Sequence, residues 1–384
     1  MNHGTPTICS SLLFIFIFLA SCSHNSPLIK DATKSRTTVS LELSKAGIPV
    51  DSVGLAIYGT DPFIFEQNNT HFLYIYNTPQ HSIDVYNLTQ KSFTNRIQLK
   101  TEGPDEVNKV YNIFVHSPDS IYIFGKGRLY HTSSKGSVIK AYNTMYEKSI
   151  GTDGGYFHSP NEANFTLNKG GTKMTGFFLH NTSSAAERTQ ESLANFIIGQ
   201  LDLSTNNISF LPIEYSEFIK KHKGDFSELK PNLTFTENQI IFNWPIESNI
   251  YTYSYTTEHI KTHGAKSEYS KNVSPTLSTN PEYNYTNEGT WFKAVKPIPG
   301  TNYYYRTHWG SQPKLNKDGK PSDALFKPGY LMILTKEFDI ITEIRINNDC
   351  FLDGSFATDE GIFFWAKDGM NENEMKFCVY SLAK

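Results

Sequence analysis

Short runs of alternating apolar and polar residues recur in groups of four along most of the chain, and this repetition predicts an all-β fold, a six-bladed β-propeller. Two further observations point the same way. Aromatic residues make up 14% of the chain, led by 27 Phe and 22 Tyr, which suits pleated, half-buried strands. The last group has only three strands, and an orphan strand at residues 37–43 is available at the other end of the chain to complete it. Closure of the last blade by the N-terminal strand removes an open sheet edge and makes six blades of four strands.

The blades are predicted in order. The first takes strands at 63–66, 72–76, 82–87 and 93–99, and the second at 111–116, 120–124, 128–132 and 137–142, with nearly matching offsets. The third reads 164–168, 173–180, 195–203 and 207–215; the fourth 233–237, 239–244, 249–255 and 259–263. The fifth reads 291–298, 302–309, 330–336 and 339–346, and the sixth 351–358, 361–366 and 376–382. Residues 265–290 are too rich in Ser, Asn and Pro to form a seventh blade.

Ahead of the blades lies an address. Residues 12–22 are an apolar run ending Leu19-Ala20-Ser21-Cys22, too short for a permanent membrane span and closed by small residues before a cysteine. This ending resembles a bacterial lipobox, although Met1 to Thr7 carry no Lys or Arg. The resemblance implies removal of residues 1–21, acylation of Cys22 and a multi-chain lipid anchor. Ser23 after the cysteine favours the outer membrane facing the periplasm, and residues 22–36, polar and aperiodic, read as a flexible tether. The remainder, 37–384, is then a single propeller domain.

Net charge is −3 without long single-sign blocks, so nucleic acid is not an expected partner. Of four cysteines, Cys9 leaves with the signal and Cys22 is the acylation site, so Cys350 and Cys378 are left as a possible disulfide or as two small buried residues. His259 and His263 form the one close histidine pair, with no third ligand at metal spacing.

In a propeller, links between blades and links from second to third strand open on one face. The long loops, 101–110, 143–163, 181–194, 216–232, 265–290 and 310–329, are all of these two kinds. Function concentrates on loops carried by a rigid scaffold, so this long-loop face is the expected binding face. Trp244, Trp309 and Trp365 end second strands, with Tyr76 and His180 at the matching place in earlier blades, and Arg306 and His308 lie beside Trp309. Together they form a candidate patch for a glycan, a peptide or a protein partner, the cations anchoring an acidic group. The competing reading is that these rings pack between blades. An alternative function is a calcium-dependent, lactonase-like hydrolase with Asn112, Asn164 and Asp353 converging in the central channel. No catalytic motif is present, and no cofactor is expected outside that alternative.

Glu102-Gly103-Pro104-Asp105-Glu106, followed by Ile113-Phe114-Val115 and Asp119-Ser120-Ile121-Tyr122-Ile123, resembles the uncharacterised six-bladed propeller lipoproteins of Bacteroides-type bacteria, domain of unknown function 4221. Asp359-Glu360-Gly361-Ile362-Phe363-Phe364 and Phe377-Cys378-Val379-Tyr380 are similar as well. The resemblance implies a propeller in the cell envelope and transfers no catalytic residue.

Overall fold

A computed structural model describes residues 28–50, 61–146, 154–158, 164–180, 195–221, 230–274, 288–322, 327–371 and 374–383. Cys22 and the signal sequence lie outside them. Six antiparallel sheets form the six blades. Blade one is Phe63–Gln67, Thr70–Asn77, Ser82–Asn87 and Ser92–Gln98; blade two is Asn112–Ser117, Ser120–Gly125, Arg128–Thr132 and Val138–Asn143. Blade three is Thr166–Leu167, Lys173–His180, Ile198–Asp202 and Ile208–Leu211; blade four is Asn232–Phe235, Gln239–Asn243, Ile250–Ser254 and Ile260–His263. Blade five is Trp291–Pro297, Tyr303–Trp309, Gly329–Thr335 and Ile340–Arg345. In each, chain order equals spatial order, so the first strand is the inner edge facing the axis.

Blade six, Cys350–Thr358, Gly361–Asn371 and Glu374–Leu382, takes its outer strand from the N-terminus, as the sequence predicts. The closing strand is Leu41–Pro49, several residues later than expected, in register from Leu41 opposite Leu382 to Pro49 opposite Glu374. The reason is burial. Ile48 is 2% exposed and joins Phe377 and Val379 against Leu73, Ile75 and Tyr86 of blade one, while a Cβ on Gly47 would overlap the Glu374 side chain. Sliding the register by one residue would send Ile48 to solvent.

Apolar layers lie between consecutive blades. Tyr74, Ile83 and Val85 of blade one meet Ile113, Val115 and Ile121 of blade two, and Leu331 and Ile333 of blade five meet Phe364 and Tyr380 of blade six. Each such side chain contributes roughly 1.5–3 kcal/mol on burial. Turns on the opposite face are tight: Asn68 and Asn69 both hold positive φ, 51° and 58°, the backbone a two-residue hairpin requires and asparagine tolerates. Cys350 and Cys378 are joined in a disulfide inside the closing blade, their Cα atoms 5.9 Å apart.

Two segments read as loops carry structure. Met145–Tyr146 and Gly155–Phe157 extend blade three, where Phe157 is buried edge-on to Phe178 at 5.3 Å and a Cβ on Gly155 would strike the same ring. Glu217–Lys221 is a short helix that buries Phe218 and Ile219. In 265–290, the described residues contain no strand, only the bridge of Val273 to Glu247.

The expected flexible tether is corrected from Leu28 onward, because those residues are docked. Ile29 is buried in the layer around Trp244 and Phe242, and the Asn249 side chain both donates to Leu28 O at 2.7 Å and accepts from Lys30 N at 3.0 Å. Asp31 crosses over Gly264, where a Cβ would collide with its carbonyl, and Lys266 pairs with it at 2.6 Å. Ser35 N and Thr33 O then bond the Ile340 backbone at 2.9 and 2.8 Å. An apolar pair, Leu28-Ile29, inside a polar stretch is the sequence signal for this strap.

Beneath the strap, the Glu247 carboxyl is fully buried and accepts from Ser216 Oγ at 2.6 Å, Asn249 Nδ2 at 3.0 Å and the Tyr251 hydroxyl at 3.1 Å. Burial pushes its pKa up to about 7, with these hydrogen bonds opposing. An unfolded Glu titrates near ~4.3. Between those values the folded state holds a proton that the unfolded state has lost, so stability falls as pH rises through the window and the loss is complete above it. Glu247→Gln, which mimics the protonated acid, is expected to abolish this component, on the order of 3 kcal/mol. Urea unfolding of both proteins at pH 5, 6 and 7 measures it. His158 and His263, both pushed down to about 4 by burial, act in the opposite direction and cancel in the comparison. Parallel pH profiles for the two proteins would contradict the prediction.

Candidate functional site

The first strands of all six blades enclose a cavity of about 370 Å³ on the propeller axis. Phe63, Phe114, Phe165, Phe235 and Phe356 line it from five blades, and Tyr305 with Pro297 from the remaining one. The rings brace each other around the axis: Phe63 meets Phe114 edge-on at 5.2 Å, and Phe114 meets Phe165 at 5.8 Å. Because each first strand is an inner sheet edge, its outward backbone donors and acceptors also face this space.

Polar groups tie the blades together around the cavity. Asn112 Nδ2 donates to Asn164 Oδ1 at 3.0 Å, and Asn232 Nδ2 donates to Phe292 O at 2.9 Å, linking blade two to three and four to five. Lys296 Nζ donates to Ser355 O at 2.8 Å between blades five and six. His71 Nε2 lies 3.0 Å from Asp359 Oδ1 between blades one and six, on the tight-turn side, with Glu66 beside it on the lining. A molecule in the channel therefore meets the half-buried rings of Phe63, Phe114 and Phe235, with amides, an ammonium and carboxylates at fixed points.

The residues singled out for calcium have other partners. Asn112 and Asn164 hydrogen-bond each other, and Asp353 pairs with Lys293 at 2.5 Å. Among the described residues no group of three or more His, Cys, Asp or Glu is arranged to hold a metal ion.

The aromatic and cationic patch expected on the long-loop face is corrected by burial. Arg306 is 0% exposed: its guanidinium donates to Ser248 O at 2.7 Å and Ala265 O at 2.6 Å and lies 4.6 Å from the centre of the Phe292 ring. His308 is likewise 0% exposed, 3.1 Å from Ser270 Oγ and stacked on Tyr330 at 5.0 Å. Burial, reinforced by Arg306, drives its pKa well down, so the ring is neutral. Neither can anchor an acidic ligand at the surface.

Of the ring side chains, Trp244, Trp309 and Tyr76 are buried as well, and Trp365 and His180 are half-buried. Trp244 is fully buried and stacked on Tyr215 at 5.1 Å, Trp309 packs edge-on to Phe351 at 6.2 Å, and Trp365 leans on Phe377 at 4.6 Å. The Tyr76 hydroxyl reaches His81 Nδ1 at 2.7 Å, and His180 Nε2 meets Phe196 O at 2.7 Å while its ring stacks on Phe210. At Tyr76, Trp244, Trp309 and Trp365 this repeated position at the ends of second strands serves packing between blades, and at His180 it serves packing within blade three. What the residue pattern did offer, and the expected patch overlooked, is a phenylalanine at the first strand of one blade after another.

Comparison with known proteins bears on the whole assembly. The family described as "Domain of unknown function (DUF4221)" matches residues 54–345. The crystal structure of a DUF4221 family member from Bacteroides vulgatus is similar with a TM-score of 0.77 and 18% identity, covering 91% of this chain and 100% of that one. A second crystal structure, of a protein from Bacteroides fragilis named as a candidate exported protein, is similar with a TM-score of 0.56 and 14% identity, covering 93% of this chain and 99% of that one. No curated protein matches. No helix among the described residues is long and apolar enough to cross a membrane.

Proposed function

The chain belongs to the DUF4221 family, and from that premise we propose that it is an exported, lipid-anchored, non-catalytic binding propeller whose ligand enters the central channel. The apolar run closing on Cys22, together with the name of the Bacteroides fragilis relative, supports export, with acylation at Cys22 and residence in the outer membrane facing the periplasm. The observation that carries the binding reading is the cavity of about 370 Å³ to which all six blades contribute. That volume is at the small end of ligand sites, which run from roughly 300 to 1,000 Å³, and matches one or two sugar rings or a short peptide end rather than a folded partner. Phenylalanine faces suit the apolar face of a sugar ring or a peptide side chain, and exposed first-strand edges supply the hydrogen bonds.

Thr234 is half-buried on the channel wall, and Thr234→Trp fills the space with an indole. Maltose, cellobiose, diacetylchitobiose and short aromatic peptides are the probes, read by saturation-transfer NMR. Transfer to at least one probe is expected with the wild-type protein and is lost in Thr234→Trp at unchanged melting temperature. Transfer that survives the blocked channel, or none to any probe, would overturn the reading.

A further inference from the structure

We infer that the long-loop face around blades four and five rests on the phospholipid surface that holds the anchor, so that the tight-turn face, with the His71–Asp359 end of the channel, points away from the membrane. This rests on the Cys22 anchor proposed above. Leu28 and Ile29 are held against the Trp244–Asn249 connection by the Asn249 amide, and that connection joins second to third strand, on the long-loop face. Only residues 23–27 separate this fixed point from Cys22, a reach of at most about 21 Å for six fully extended steps. The body therefore cannot turn freely over its anchor. The strap's exit must stay near the bilayer, and the opposite face is carried outward.

A second observation lies on the same face. The second-to-third-strand link of blade five forms a small hairpin, Leu315 bridged to Pro321, with Asn316 N and Gly319 N bonded to Lys320 O and Asn316 O. Its tip carries Lys314, Lys317 and Lys320 around Leu315, which is 50% exposed, with Asp318 the acid among them. Lysines flanking an exposed leucine fit anionic headgroups with an apolar layer beneath. The hairpin is continuous with the strap's docking site: Gln312 N bonds Glu288 O at 3.1 Å, and Ser248 N bonds Asn272 O at 3.0 Å. Ser274 Oγ donates to Thr290 O and joins these two pieces, so hairpin and exit point belong to one hydrogen-bonded layer.

The test uses the full-length lipoprotein, purified from membranes and reconstituted into phosphatidylethanolamine and phosphatidylglycerol vesicles that contain a headgroup nitroxide lipid. A maleimide dye is placed at Lys317→Cys on the hairpin, or at Gln90→Cys on a tight turn of the opposed blade. Cys22 is blocked by its acyl group and Cys350 and Cys378 by their disulfide. The dye at 317 is expected to lose most of its emission and the dye at 90 to keep it. Equal quenching at both positions, or stronger quenching at 90, would overturn the orientation. Mass spectrometry of the N-terminal peptide separates the two layers of the argument: an acylated Cys22 with the wrong quenching pattern refutes the orientation alone, whereas an unacylated Cys22 refutes the anchor and the orientation with it.

Discussion

Removing residues 23–49 is expected to lower the melting temperature by on the order of 10 °C or to leave an aggregating protein, while removing residues 23–27 alone leaves it unchanged. The longer deletion takes away the outer strand of blade six, whose nine residues pair with Glu374–Leu382. It exposes the ladder groups of that strand as an unpaired edge and strips Ile48 from the layer between blades six and one. A third deletion, residues 23–36, separates the strap from the strand. It removes buried Ile29 and strands the Asn249 amide, and an intermediate loss is expected. Calorimetry of the three proteins gives the ranking. Identical melting temperatures for the first two deletions would mean that the ring does not depend on its N-terminal strand.

Arg306→Ala is expected to destabilise the protein by about 3–5 kcal/mol. The substitution opens a cavity beside Phe292 and leaves the Ser248 and Ala265 carbonyls, both in the link region of blade four, without their donors. Arg306→Met refills most of the volume without restoring either hydrogen bond, so its cost is expected to fall between that of alanine and zero. Urea unfolding measures both. A loss under about 1 kcal/mol for Arg306→Ala would return this side chain to the surface role that the sequence suggested, since exposed cations contribute little.

What could be read from the residues, and what could not, divides along range. Strand alternation is local, and so Ser82–Asn87 and Ser120–Gly125 fall where the pattern puts them. Closure was legible from an odd strand count, because a three-stranded blade leaves an edge that something must cover. The register was not, since it depends on Ile48 finding Phe377 and on Gly47 making room for Glu374, contacts that join the two ends of the chain. The misplaced site has the same cause. Whether Arg306 in mid-strand is wet or dry depends on carbonyls 58 and 41 residues away, and Trp244 is covered by Tyr215 from the preceding inter-blade link. Periodicity reports which side chains share a face, and it is silent on what folds over them. The channel was half legible: the phenylalanines of first strands recur visibly, but their convergence on one axis needs the ring to close.

A crystal structure of the wild-type protein soaked with whichever sugar or peptide gives saturation transfer decides between a channel site and a surface site. Ligand density is expected on the propeller axis, in contact with Phe114 and Phe235 and absent from Thr234→Trp crystals treated in the same way. Density confined to the outer surface of the long loops, or an axis that stays free of ligand while binding persists in solution, would contradict the channel site.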